Sequence, residues 1–238
     1  MSSTVKSILF VTILSIVCSS LLTLASTGLK DYQLRNVAID KQINILKSVR
    51  VIDDGHSIAP GTIEKLYDEN IGQAWIDVEG KIITEQLKSE HDLPIFLYVK
   101  KSEILSYIVP VDSQGLWGRI LGYLSIKNDG KTLSRFTVYS HSETPGLGGE
   151  IEKSWFQNNF LGKEILDDKG NFAAVTIAKG SVEKRILKHR QKNFVDGISG
   201  ATLTGRFLSE GLKHTLIEYE PLSKRFRNKE TIKGPSRQ

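Results

Sequence analysis

The stretch SILFVTILSIVCSSLLTLASTGL, Ser7 to Leu29, has no charged side chain between Lys6 and Lys30, and nothing else in the chain limits its fold so tightly. As an α-helix its 23 residues extend about 34 Å at ~1.5 Å per residue, enough to cross the hydrocarbon of a bilayer. A cleaved signal peptide has a shorter apolar region, about 7 to 15 residues, that ends in a small-x-small site. Here the run is longer, and Thr23 to Ala25 makes a poor cleavage site. Cys18 lies inside the run after bulky Ile16 and Val17, which does not suit a lipid acceptor. An uncleaved single-pass anchor over residues 1–30 is expected. Lys6 on one side and Lys30, Arg35 and Lys41 on the other leave the charge rule undecided. The short head and large polar remainder favour an outward-facing globular part.

The formal charge of +5 is not spread over the chain. Of 32 Lys and Arg and 27 Asp and Glu, residues 222–238 (LSKRFRNKETIKGPSRQ) hold six and one, so the remaining 26 of each sign cancel over residues 1–221. A neutral body without aromatic residues among clustered cations does not describe a nucleic-acid-binding face. Residues 222–238 are expected to form a mobile basic tail. One cysteine excludes an internal disulfide and any Cys-based metal or cluster site. The five histidines, His56, His91, His141, His189 and His214, lack ligand spacing, so no metal is expected.

After the anchor, residues 31–50 read as a helical stalk with Leu34, Ala38, Ile45 and Val49 near one face and Asp31 as a cap. PGTIEKLYDEN suggests a short helix. The texture then changes to strands: QAWIDVEG, LPIFLYVKK, ILSYIVPV, RILGYLSIK and TLSRFTVYS, with Asp129-Gly130 between the last two as a hairpin signal. A Pro and Gly loop, HSETPGLGG, precedes an expected helix, EIEKSWFQNNFLGKE, and a strand, FAAVTIAKG. A final amphipathic helix spans about Thr202 to Tyr219, with Leu203, Phe207, Leu208, Leu212, Leu216 and Tyr219 on a broad apolar face. Strands and helices do not alternate as in a doubly wound sheet, so the expected class is α+β, helices packed on an antiparallel sheet.

Two glycine-rich motifs invite functional readings. Gly146, Gly148 and Gly149 give G-x-G-G rather than a dinucleotide fingerprint, and no parallel βαβ unit surrounds them. That loop is either shaped by Pro145 for its own turn or laid flat against a planar ligand. GISGA approaches the nucleophile elbow, but Ala201 stands where its last glycine belongs and no His and acid pair is evident. SGAT falls at the amino end of the last helix, where unsatisfied N–H groups and the helix dipole favour an anion. An ordinary hydroxyl cap, worth about 1 kcal/mol, is the other use of those residues.

DGISGAT, Asp196 to Thr202, resembles the flavinylation motif of covalent-FMN-binding domains, in which a phosphoester joins FMN to the hydroxyl of the last Thr. Together with HSETPGLGGEIEKSWF, ATLT and LRNVAIDKQINIL, it is similar to the C subunit of the Na+-translocating NADH:quinone oxidoreductase; the G subunit of the Rnf complex is the near relative. The resemblance implies residues 51–221 as an FMN-binding domain and Thr202 as the FMN acceptor, with Thr204 the runner-up. Asp196 would be the carboxylate required by the flavin transferase, and Ser199, Gly200 and Ala201 the phosphate cradle. Thr144, Pro145, Gly146, Leu147 and Gly148 would border the isoalloxazine ring, and Lys179 would offer it a positive partner. The implied setting is a bacterial inner membrane with the domain on the periplasmic side. The implied role is electron transfer within an ion-translocating NADH:ubiquinone oxidoreductase, alongside its other subunits. An Rnf-type flavin subunit and a non-redox membrane-anchored assembly module are the alternatives. Two stretches depart from the family pattern: the ending lacks a Trp and Gly-rich segment, and SVEKRILKHRQKNF is unusually basic.

Overall fold

The computed structural model describes residues 2–55, 58–83 and 89–230. The chain divides into two compact units, Met1–Asp40 and Lys41–Gln238. The first contains α1 (Ser3–Gly28), none of whose residues is buried, and the start of α2 (Lys30–Ser48). α1 is long and apolar enough to cross a membrane.

The globular unit begins within α2, before the boundary expected at residue 51, because the helix changes character there. Ile45 and Leu46 are fully covered, and Thr137 donates its hydroxyl to the Asn44 carbonyl at 3.0 Å. The stalk expected over 31–50 is therefore half stalk and half core. α3 (Pro60–Asn70) opens on a proline at its start, where a missing N–H costs nothing, and its Ile63 is buried.

One antiparallel sheet follows, built from β1 (Ile71–Ile76), β2 (Ile82–Ile83), β3 (Leu93–Lys100), β4 (Glu103–Gln114), β5 (Arg119–Lys127) and β6 (Leu133–Ser140). Its order is β2-β1-β3-β4-β5-β6: β3, β4, β5 and β6 pair in sequence through short turns, and β1 pairs with β3 on one side and β2 on the other. The turn between β5 and β6 sits at the Asp-Gly pair. Asp129 Oδ1 accepts the Lys131 and Thr132 N–H groups, and Gly130 adopts a φ of 67°.

The long helix expected over 150–164 does not form. A 3₁₀ turn at Gly148–Glu152 leads instead to the five-residue α4 (Ser154–Asn158). Of Ile151, Trp155 and Phe160, whose spacing suggested that helix, Ile151 and Phe160 are fully buried, whereas Trp155 is 47% exposed and its neighbour Phe156 enters the core. Likewise FAAVTIAKG yields only β7 (Thr176–Ile177). Beyond the single turn of α5 (Val182–Arg185), β7 pairs in parallel with β8 (Phe194–Val195), apart from the main sheet.

α6 (Thr202–Glu218) lies against β4, where Ser113 donates its hydroxyl to the Phe207 carbonyl at 3.0 Å. Leu208, Leu212 and Leu216 are buried, whereas Leu203 is exposed and lies off the core face.

Residues 222–230 are not a mobile tail. α7 (Glu220–Arg227) packs on the sheet, with Leu222 fully buried. Phe226 stacks on Tyr107 at 4.7 Å and 7°, and Ser223 Oγ lies 2.7 Å from the Tyr107 hydroxyl. Counting cations missed the i, i+1 and i+4 apolar and small residues that face inward. Residues 231–238 of the expected tail lie outside the described residues.

Candidate functional site

The approach to α6 is a laced turn. Asp196 Oδ1 accepts the Val182 N–H at 2.6 Å, and the Gly197 N–H donates to the Gly180 carbonyl at 2.9 Å, binding residues 180–182 to the start of the motif. Gly200 then takes a φ of 77°, in the left-handed region, where a Cβ would also sit 2.7 Å from Leu147 Cδ2. The Ala201 N–H closes the turn on the Ile198 carbonyl at 3.1 Å. Ala201 is thereby buried and Thr202, the first residue of α6, is exposed. No side chain caps this end of the helix, which leaves its first N–H groups and the positive pole of its dipole open to an anion.

The two threonines of ATLT have different environments. Thr204 is 1% exposed, and its hydroxyl donates to Glu143 Oε2 at 2.6 Å. Glu143 is itself buried, and its Oε1 accepts the Trp117 N–H at 3.0 Å. Thr202 is exposed, and among the described residues its hydroxyl makes no hydrogen bond. One hydroxyl is structural and the other is available.

Glu143 joins three segments that are remote in sequence: the turn between β4 and β5, the Pro and Gly loop, and α6. Its own N–H donates to His141 Nδ1 at 3.1 Å, while His141 Nε2 faces Glu152 Oε2 at 3.2 Å. Lys153 and His141 together hold the Glu152 carboxyl below its usual range. The loop closes on itself through the Leu147 and Gly149 N–H groups, both donated to the Thr144 carbonyl. Gly148 passes so near the carboxylate that a Cβ would collide with Glu143 Oε2 and lie 2.7 Å from Thr204 Oγ1.

Two clefts meet at Thr202. A cleft of about 210 Å³ is walled by Leu116, Trp117, Thr144, Leu147 and Gly148, with Glu143 and Gly200 to Thr204. A larger one, about 350 Å³, is lined by Thr176, Ile177, Ala178, Lys179, Ile198 and Arg206, and shares Ala201 and Thr202 with the first. The expected ring residues are thus divided. Thr144, Leu147 and Gly148 border the smaller cleft, Lys179 the larger, and Pro145 and Gly146 stand exposed at the loop's apex beyond both. Ser199 is exposed and lines neither, and Asp196 serves as the clamp on Val182. Glu143, Trp117 and Leu116 were not singled out from sequence. Trp117, in the turn QGLWGR, is 69% exposed, and an apolar residue in a tight turn was the available signal.

The fold and this paired cleft define a flavin-mononucleotide-binding protein: the family model described as the FMN-binding domain matches residues 115–217, from the Trp117 turn to the end of α6. The residues fit that cofactor. An unpartnered hydroxyl stands at an uncapped helix start, suited to a phosphate, and exposed Trp117 and Leu147 offer apolar faces for a planar ring. More particularly, the chain belongs to the family formed by the C subunits of Na(+)-translocating NADH-quinone reductases. It is 32% identical to that subunit of Vibrio anguillarum over 90% of this chain and 89% of the relative. With that of Yersinia pestis it shares 29% identity over 93% and 92%. The crystal structure of the subunit from Parabacteroides distasonis superposes with a TM-score of 0.69 at 29% identity, covering 82% of this chain and 96% of that one. The Shewanella oneidensis structure shares the fold, with a TM-score of 0.59 at 22% identity over 79% and 97% of the two chains.

Proposed function

We propose that this chain is a membrane-anchored electron-transfer subunit of a Na+-translocating NADH-quinone reductase, carrying FMN joined by a phosphoester to Thr202 Oγ1. The observation that carries the reading is the contrast between the free, exposed Thr202 hydroxyl and the Thr204 hydroxyl held by buried Glu143. When bound, FMN supplies reversible acceptance of electrons. The chain's own residues bind and orient. The uncapped start of α6 and Lys179 and Arg206, which share a cleft with Thr202, offset the negative charge of a phosphoester. Trp117 and Leu147 would offer apolar faces to the ring and exclude water from it, with Thr144 and Gly148 lining the same cleft. Gly200 and Ala201 leave room at the phosphate side, and Ser199, Pro145 and Gly146 stand exposed outside the clefts. Asp196 keeps the motif presented to the flavin transferase by holding residues 180–182 against it. α1 anchors the chain in the inner membrane with the globular unit on the periplasmic side, where a tethered cofactor is not lost by dilution.

The test is mass spectrometry of protein made together with its flavin transferase. The tryptic peptide Asn193–Arg206 is expected to carry an FMN-sized addition that fragmentation assigns to Thr202, and the denatured protein is expected to stay yellow. A peptide that never carries it, on a colourless chain, overturns the reading and leaves an assembly module in its place.

A further inference from the structure

Residues 179–192 hold six Lys and Arg against one Glu. Because residues 1–221 balance, the rest of that span carries a net of five negative charges, and this segment is the concentration of positive charge within it, separate from the equally basic residues 222–238. Lys192 is engaged by Glu164 and Asp168. Among the described residues Lys179, Lys184, Arg185, Lys188 and Arg190 form no ion pair, and all five are exposed. In their midst Leu187 is 68% exposed.

The segment is fixed, and it is fixed next to Thr202. Asp196 holds Val182, and the Arg185 side chain folds back over Gly180, beside Lys179 in the wall of the larger cleft. Arg206 and Lys213 of α6 continue the positive rim on the far side of that cleft, with Glu210 near Arg206. A surface that concentrates unpaired cations around one exposed apolar residue has the composition of a docking face, a small dry centre within a charged rim.

We infer that the face formed by residues 179–190 docks an acidic surface of the redox subunit that exchanges electrons with this one. The inference rests on the flavin assignment above, since it is the carrier at Thr202 that obliges a partner to approach this side. The local concentration of cations beside Thr202 favours a negative partner at this face before contact, which raises the encounter rate and fixes orientation. An anionic bilayer would satisfy the same cations. It would also press the cleft at Thr202 against lipid and away from a donor or acceptor, and for that reason a protein surface is the occupant.

The experiment uses the assembled complex bearing the full-length Lys184→Glu/Arg185→Glu/Lys188→Glu chain. Flavin on the Asn193–Arg206 peptide is expected to be unchanged, and NADH-driven quinone reduction to fall on the order of tenfold at low salt, as like charges are set face to face. The neutral Gln triple variant is expected to fall between the two and provides the test if the reversed one misfolds. In the wild-type complex, a zero-length carbodiimide is expected to join Lys184 or Lys188 to an Asp or Glu of another redox subunit. Flavinylated variants that turn over at the wild-type rate overturn the inference. If they also lose binding to phosphatidylglycerol vesicles that the wild-type chain binds, the face serves lipid instead. A colourless wild-type chain overturns the flavin assignment itself, which is a separate failure.

Discussion

Thr204 donates its hydroxyl to Glu143 across 2.6 Å, in a place where both residues are buried. Glu143 is 61 residues distant in sequence, and its other oxygen holds the turn that carries Trp117. The bond therefore sets the width of the smaller cleft and removes Thr204 from competition with Thr202.

Replacing Thr204 by Val should leave the flavin attached and the fold weaker. The Glu143 oxygen loses its hydroxyl donor in a buried place, a cost of about 1–3 kcal/mol. Thermal unfolding together with in-gel flavin fluorescence checks both halves. Thr202→Val should do the reverse, with stability nearly unchanged and fluorescence lost from the denatured band.

Gly200→Ala tests the turn before α6. An alanine must adopt a φ of 77° and also meet Leu147 Cδ2 at 2.7 Å, and the left-handed conformation alone costs about 1–2 kcal/mol. Because the displaced group is Leu147, flavin loading should fall along with the melting temperature. Absorbance of purified protein at the flavin band, per chain, measures it.

The division of ring residues between two clefts leads to a third expectation. Trp117→Ala should change the absorption and raise the fluorescence of the attached flavin, because the smaller cleft loses a ring face. Lys179→Gln, in the other cleft, should leave the ring spectrum nearly as it was. Side-by-side spectra of the two flavinylated variants decide the matter; the opposite pattern would put the ring in the larger cleft.

Acid stability should depend on Asp54. Burial alone would raise its carboxyl, but hydrogen bonds from buried Arg135, Ser154 and Lys47 outweigh that and lower it from 3.8 to about 2. A carboxyl depressed in the folded state contributes stability that is complete above the unfolded value of 3.8 and is lost as pH falls toward 2. Asp54→Asn should therefore be less stable at neutral pH and should show a flatter acid limb between those values in a melting-temperature profile.

Leu222→Ala should destabilise by about 2–5 kcal/mol, the range for emptying a covered leucine site. Urea unfolding measures it. A truly mobile tail would show no effect.

Much of the sheet was legible because its signal is local. Alternating β-branched and aromatic runs ended at turn residues, and RILGYLSIK became β5, Arg119–Lys127, without adjustment. The α6 start was legible for the same reason, as small and hydroxyl residues sat directly before an apolar periodicity. Periodicity misled where burial and helix coincide in spacing without being the same thing. Ile151 and Phe160 are core residues on a 3₁₀ turn and a loop, not one helix face. Charge counting misled at α7, where Leu222 and Phe226 are the residues that matter and the cations only border them.

A long apolar helix, an antiparallel sheet and a loop-to-helix junction fit for an anion were all written in the order of the residues, since each depends on neighbours a few positions apart. Folding had to decide which threonine is free, that Glu143 spans three segments, and that Lys179 stands across Thr202 from Leu147. Those relations join residues up to 61 positions apart, and only close packing of the folded chain brings such groups within hydrogen-bond reach.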